Sequence, residues 1–128
     1  MDLKDSHALE KFEFKADCAH LSSTPGWLYR TLWKINSPLF REFTLSILNC
    51  LSAIHLQAAI GGDDWKTIDV YLFVWSKFQP SFQVIFRVGF EGDEATMKDL
   101  IMECFPLVSK KRIMRIEQLQ HLGTPAAV

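Results

Sequence analysis

The chain has 128 residues, 48% of them apolar, and its 14 basic and 15 acidic side chains leave a formal net charge of -1. That is enough for one packed domain, and too apolar for a disordered tail. The charge balance excludes a protein that neutralises phosphates along its length, so no nucleic-acid partner is expected. Cys18, Cys50 and Cys104 are sparse, odd in number and without CxxC or CxxH spacing. This predicts reduced thiols, no zinc site made of neighbours, and a cytoplasmic protein, with the nucleus left open. The polar Met1–Asp5 has no apolar segment behind it, so no secretory signal is expected. Residues 1–10 read as an extension, 11–119 as a single domain and 120–128 as a flexible tail.

Apolar residues alternate at 12, 14, 16 and 18, the pattern of a half-buried strand. Thr24 and Pro25 then make a helix start, with Leu28, Leu32 and Ile35 at helical spacing before Asn36-Ser37-Pro38 stops it. A second strand follows, with Phe43, Leu45 and Ile47 inward. Phe43 to Gly62 carries no formal charge and is about as long as a membrane span. Ser46, Asn49, Ser52, His55 and Gln57 interrupt it, so a strand followed by a turn or short helix is predicted instead. Residues 48–60 resist assignment. If they are helical, Leu48, Leu51, His55 and Ala58 share one face.

Asp63 or Asp64 caps the next helix, whose stripe is Trp65, Ile68, Leu72 and Trp75. The longest alternating run, Phe82 to Phe90, is the third strand, and Ile85 on its other face predicts partial cover there. A third helix capped by Asp93 carries Met97, Leu100, Ile101, Cys104 and Phe105 on one side, with Pro106 as its end or a kink. Ile113 to Glu117 is the last strand. From Phe14 to Leu45 is 31 residues, from Leu45 to Phe86 is 41, and from Phe86 to Ile116 is 30. Strands separated by helices at a near-constant interval predict an α/β fold. Its expected form is a four-stranded, mostly parallel sheet in β-α repeat units, the longer interval holding residues 48–60 as an insert.

Ile35 to Leu45 has the shape of a degenerate leucine-rich-repeat strand, and Trp65 to Leu72 that of the helix that follows one. Cys104-Phe105-Pro106-Leu107 with Arg115-Ile116-Glu117 is similar to a closing helix and strand. Together, over about residues 12 to 119, the chain resembles the C-terminal repeat region of F-box-type proteins from mushroom-forming fungi. The resemblance implies a leucine-rich-repeat-like fragment with a non-catalytic surface that recognises another protein. No segment resembles an F-box, so binding to a ubiquitin-ligase adaptor does not follow, and the asparagine ladder of leucine-rich repeats is missing.

Candidate chemistry is thin. Asp17, Cys18, His20 and Ser22 crowd one strand end, but alternation turns Asp17 away from Cys18 and no GxSxG elbow is present. Gly61-Gly62-Asp63-Asp64 lacks the ligands of a calcium loop, and Gly89-Phe90-Glu91-Gly92 lacks the Gly-Lys-Ser/Thr of a phosphate loop. Lys110, Lys111 and Arg112 suit a helix C-terminus, with Arg115 just beyond. No catalytic residue, cofactor or metal site is assigned.

The expected function is non-catalytic protein–protein interaction through the outward residues of the strands, Glu13, Lys15, Glu42, Thr44, Gln83, Arg87, Arg115 and Glu117. Trp33 beside Arg30 is the candidate hot spot. Outer strands expose unpaired backbone groups, so the chain is expected to belong to a longer arc or to dimerise through its edges. Two other readings stand beside this one. One is a ligand-binding or enzymatic domain with a pocket at the strand C-terminal ends, near Cys18, His20, Asn49 and Phe90. The other is a self-associating structural protein or a toxin-neutralising partner.

Overall fold

Period-two apolar patterns become four strands: β1 (Lys11–Asp17), β2 (Glu42–Cys50), β3 (Gln83–Phe90) and β4 (Met114–Gln118). The structure is a computed structural model and describes residues 9–23, 25–35 and 39–119. The strands form one sheet in the order β1-β2-β3-β4, and every neighbouring pair is parallel. Phe14, Leu45, Phe86 and Ile116 stand in a single cross-strand row. The intervals measured between those four residues are therefore the repeat of the fold.

Parallel neighbours need a crossover connection, and each crossover here holds two helical segments. The first is a 3-10 helix, Cys18–Ser23, followed by α1 (Pro25–Trp33). The second is α2 (Ala53–Ile60) and α3 (Asp63–Phe78), and the third α4 (Glu94–Cys104) and α5 (Pro106–Lys111). The expectation of one helix per unit is thus corrected. Residues 48–60 are no insert: they finish β2 and supply the second unit's first helix. The longer interval comes from the 16-residue α3.

Side by side, the 3-10 helix, α2 and α4 make one row, and α1, α3 and α5 a second. All lie on one face of the sheet, because consecutive parallel strands linked by crossovers of one hand place every helix on the same side. That face buries Phe12, Phe43, Leu45, Ile47, Val84, Phe86 and Val88 against Leu28, Leu32, Leu56 and Ile68. Aromatic contacts knit the layers, with ring centroids 4.8 Å apart for Phe86–Phe105 and 5.5 Å for Phe40–Trp75. Trp65 is buried with its indole N–H unsatisfied, so its place rests on packing, including an edge contact to Phe105.

Local signals fare unevenly. Ser52 caps α2 by accepting from the His55 N–H, and α2 buries Leu56, Ala59 and Ile60. Leu48 belongs to β2 and Leu51 precedes α2, so the expected shared face of Leu48, Leu51, His55 and Ala58 does not form; only His55 and Ala58 lie on the helix, both exposed. Gly62, not an aspartate, is the N-cap of α3. Asp63 and Asp64 sit in its first turn, where they complement the dipole. The third predicted helix breaks at Phe105, and Pro106 opens α5. Asp93 caps α4 through the Thr96 N–H as expected. The expected cap at Thr24, the stop at residues 36–38, and the tail at 120–128 lie outside the described residues. Among the described residues no helix is long and apolar enough to cross a membrane.

Candidate functional site: the open strand face and an aromatic groove

With the helices on one side, the opposite face of the sheet carries no helix among the described residues. Alternation dictates which side chains it presents. Register arranges them in rows: Lys11–Glu42–Gln83, then Glu13–Thr44–Ile85–Arg115, then Lys15–Ser46–Arg87–Glu117. All eight residues expected on the interaction face therefore share one surface. Charged chains stand on all four strands, and the short side chains Thr44 and Ser46 of β2 lie buried among them. Ile85 is only 4% exposed yet stands apart from the main core cluster, which matches the cover its position implied.

Charges on this face are organised among themselves. Glu117 bridges Arg87 at 3.3 Å and Arg115 at 3.1 Å, all three partly exposed. Each such pair contributes at most about 1 kcal/mol. Their effect is orientation: one carboxylate holds two guanidinium groups and leaves that end of the face positive. At the other end the Ser46 hydroxyl donates to Glu13 Oε2 at 2.8 Å. Along β1 the sign alternates through Lys11, Glu13, Lys15 and Asp17.

At the strand C-terminal ends, where the ligand or enzyme reading looked for a pocket, the polar groups are engaged with one another. The Asn49 amide donates to Asp17 Oδ2 at 2.7 Å, and the Ala19 N–H donates to Oδ1 at 3.0 Å. These two bonds hold the Asp17 carboxyl below its ordinary range. Asn49 takes a left-handed conformation (φ 60) where the β2–β3 register slips, a geometry asparagine tolerates. The Cys18 thiol donates to the His55 carbonyl at 3.5 Å. Burial pushes both Cys18 and Cys50 upward, which keeps them as thiols, and the thiolate is the nucleophilic form. Phe90 is buried.

A cavity of about 500 Å³ lies on the far side of the helix layer, between α1 and α3. Tyr29, Trp33 and Ile35 form one wall, and Thr67, Val70, Tyr71, Val74, Trp75 and Phe78 the other. Trp33 is 69% exposed, and its ring meets those of Tyr29 and Tyr71 at a tilt, with centroids about 6 Å apart. It is therefore an exposed side chain at the mouth of the groove, and Arg30 lies exposed beside it on α1. Among the described residues no three His, Cys, Asp or Glu side chains are grouped to hold a metal ion.

Comparison of the chain with protein-family models, with curated proteins and with solved structures finds no match.

Proposed function

We propose that this chain is a non-catalytic protein-interaction domain that reads a partner through its open strand face. One observation carries the reading: among the described residues, an all-parallel sheet ordered β1-β2-β3-β4 has one face clear of helices, lined by rows of charges of both signs. Such a face is what a leucine-rich-repeat-like fragment would offer. Mixed charges across the face favour specificity and association rate over raw affinity. The buried, upward-shifted thiols support the non-catalytic side of the reading.

Size sets the class of interaction. Strands about 4.8 Å apart and about 3.3 Å per residue make this face about 14 Å by 20 Å, roughly 300 Å² in projection. A standard interface buries about 800 Å² on each partner. A partner must therefore spread onto the loops at the strand ends, or bind transiently. Reversing the face with Glu42→Arg and Arg87→Glu should abolish capture of the partner from an extract of the native cell. Reversing Glu94 and Lys98, an exposed pair on α4, should leave capture unchanged. An unchanged set of captured proteins with the first variant sinks the strand-face site.

A specific observation favours dimerisation through β1, the second way to satisfy the edge. Antiparallel pairing of β1 with its copy about Phe14 sets Lys11 opposite Asp17 and Glu13 opposite Lys15, each twice. Opposite charges across strands add roughly 0.2–1 kcal/mol per pair. Trp27, exposed and tilted against Phe14 with ring centroids 5.5 Å apart, lies beside the same edge. The continuous face would double in area. Sedimentation should show a dimer that Glu13→Lys dissociates and that the Glu13→Lys, Lys15→Glu double variant restores. A wild-type chain that stays monomeric at high concentration rejects the pairing.

A further inference from the structure

Helix α3 is apolar on two sides. Trp65, Ile68 and Leu72 face the core, while Val70, Val74 and Phe78, four residues apart, form a second stripe on the solvent side. Together with Trp33 this stripe makes the mouth of the groove between α1 and α3, and Phe78 is 79% exposed. A surface helix needs one apolar stripe to join its core, so the second is not explained by folding.

The floor of the groove is fixed and made of carbon. The Tyr71 hydroxyl donates to the Leu32 carbonyl at 2.6 Å, and the Trp75 indole N–H donates to the Phe40 carbonyl at 2.9 Å. Both rings thus turn their polar atoms inward and their faces to the groove. Rings already held in place need little ordering when a ligand arrives.

Cations line both rims, with Asp63 and Asp64 at the N-terminal end of α3. Arg30 and Lys34 follow Tyr29 and Trp33 by one residue on the α1 side. Lys66 and Lys77 lie one helical step beyond the Val70–Phe78 stripe on the other side. Lys77 sits 4.9 Å from the centre of the Phe73 ring, and Lys66 makes an exposed contact with Asp63 at the N-terminal end of α3. That contact is weak enough to be exchanged. Four cations therefore flank an apolar groove in a chain whose net charge is -1.

We propose that the groove between α1 and α3 receives an amphipathic helix of a partner protein, with acidic side chains flanking its apolar stripe. The wall from Thr67 to Phe78 runs about 16 Å at 1.5 Å per residue, three turns of an occupant helix. Anchors at i, i+3 or i+4, and i+7 fit such a groove. The site is separate from the strand face and stands whether or not that face is used. Its concave form suits a helix better than a flat lipid surface.

The test uses the full chain and two synthetic helical peptides of about 16 residues, which have the same Leu and Phe anchors and differ only in Glu or Lys flanks. Tryptophan fluorescence follows binding. The Glu-flanked peptide should bind at least about tenfold more tightly than the Lys-flanked one. Trp33→Ala and Phe78→Ala, both at exposed positions, should each weaken it about tenfold with unchanged circular dichroism. Lys34→Glu with Lys77→Glu should reverse the preference between the peptides. Equal affinities, or no binding of either peptide, overturn the proposal. So does binding to phosphatidylserine vesicles without binding to the peptides, or a self-dimer that Trp33→Ala dissociates.

Discussion

Replacing Phe86 by alanine should lower the unfolding free energy by about 3–5 kcal/mol, enough to unfold much of the protein near 37 °C. Phe86 is fully buried in the middle of β3, paired in register with Leu45 on one side and Ile116 on the other. Its ring meets Phe105 at 4.8 Å, at the junction of α4 and α5. Truncation would remove contacts to both the sheet and the helix layer. Phe105 belongs to a break between two helices, where local collapse cannot refill the space without moving a backbone already set by Pro106. Urea denaturation measures the loss. Phe86→Leu, which keeps most of the volume, should cost less than half as much. A loss below about 1.5 kcal/mol for Phe86→Ala would mean that the centre of the sheet is not tightly packed.

The strands were legible because each depends on a pattern of period two that turn residues interrupt. Phe14, Leu45, Phe86 and Ile116, chosen as strand centres, lie in one row because the inward phase of every strand is written by its own apolar residues. The same alternation placed Glu13, Lys15, Glu42, Thr44, Gln83, Arg87, Arg115 and Glu117 on the opposite face. What alternation cannot reveal is pairing on that face. The Glu117 bridge to two arginines and the Ser46–Glu13 bond need neighbouring strands, which only the register supplies.

Helix boundaries were less legible, for a different reason. A helix's face follows from where it begins, and β2 runs three residues past Ile47, so Leu48 and Leu51 never join α2. The groove is less legible because one apolar stripe suffices to dock a helix on its core. On α3 the strong Trp65 stripe masked Val70, Val74 and Phe78, although their spacing of four was visible. Tyr29 and Trp33, also four apart, were the matching signal on α1, and only Trp33 stood out.

Asp69→Ala should cost about 2–3 kcal/mol and loosen the third unit selectively. Asp69 lies on the inward side of α3, 2% exposed, and its carboxylate accepts from the backbone N–H groups of Leu107 and Val108 at 3.0 and 3.1 Å. These are two of the orphan donors in the first turn of α5, which has no side-chain cap of its own. The bond is therefore a cap supplied by another helix, and it ties α5, and the β4 strand behind it, to α3. Hydrogen exchange in α5 and β4 should rise more than in β1 and β2 on substitution, and uniform exchange would refute the selective effect. The charge adds a pH signature. Burial pushes the Asp69 carboxyl above its ordinary value of 3.8, outweighing the two N–H donors that pull it down. The native protein then holds this proton more tightly than the unfolded chain does. The linked stability is fully present below about pH 3.8 and is lost as pH rises through the folded value. Asp69→Asn keeps one acceptor and does not titrate. The advantage of the wild type over this variant, measured by urea denaturation, should be largest near pH 4 and shrink toward neutrality. An advantage that grows with pH would show that the carboxylate's hydrogen bonds outweigh its desolvation.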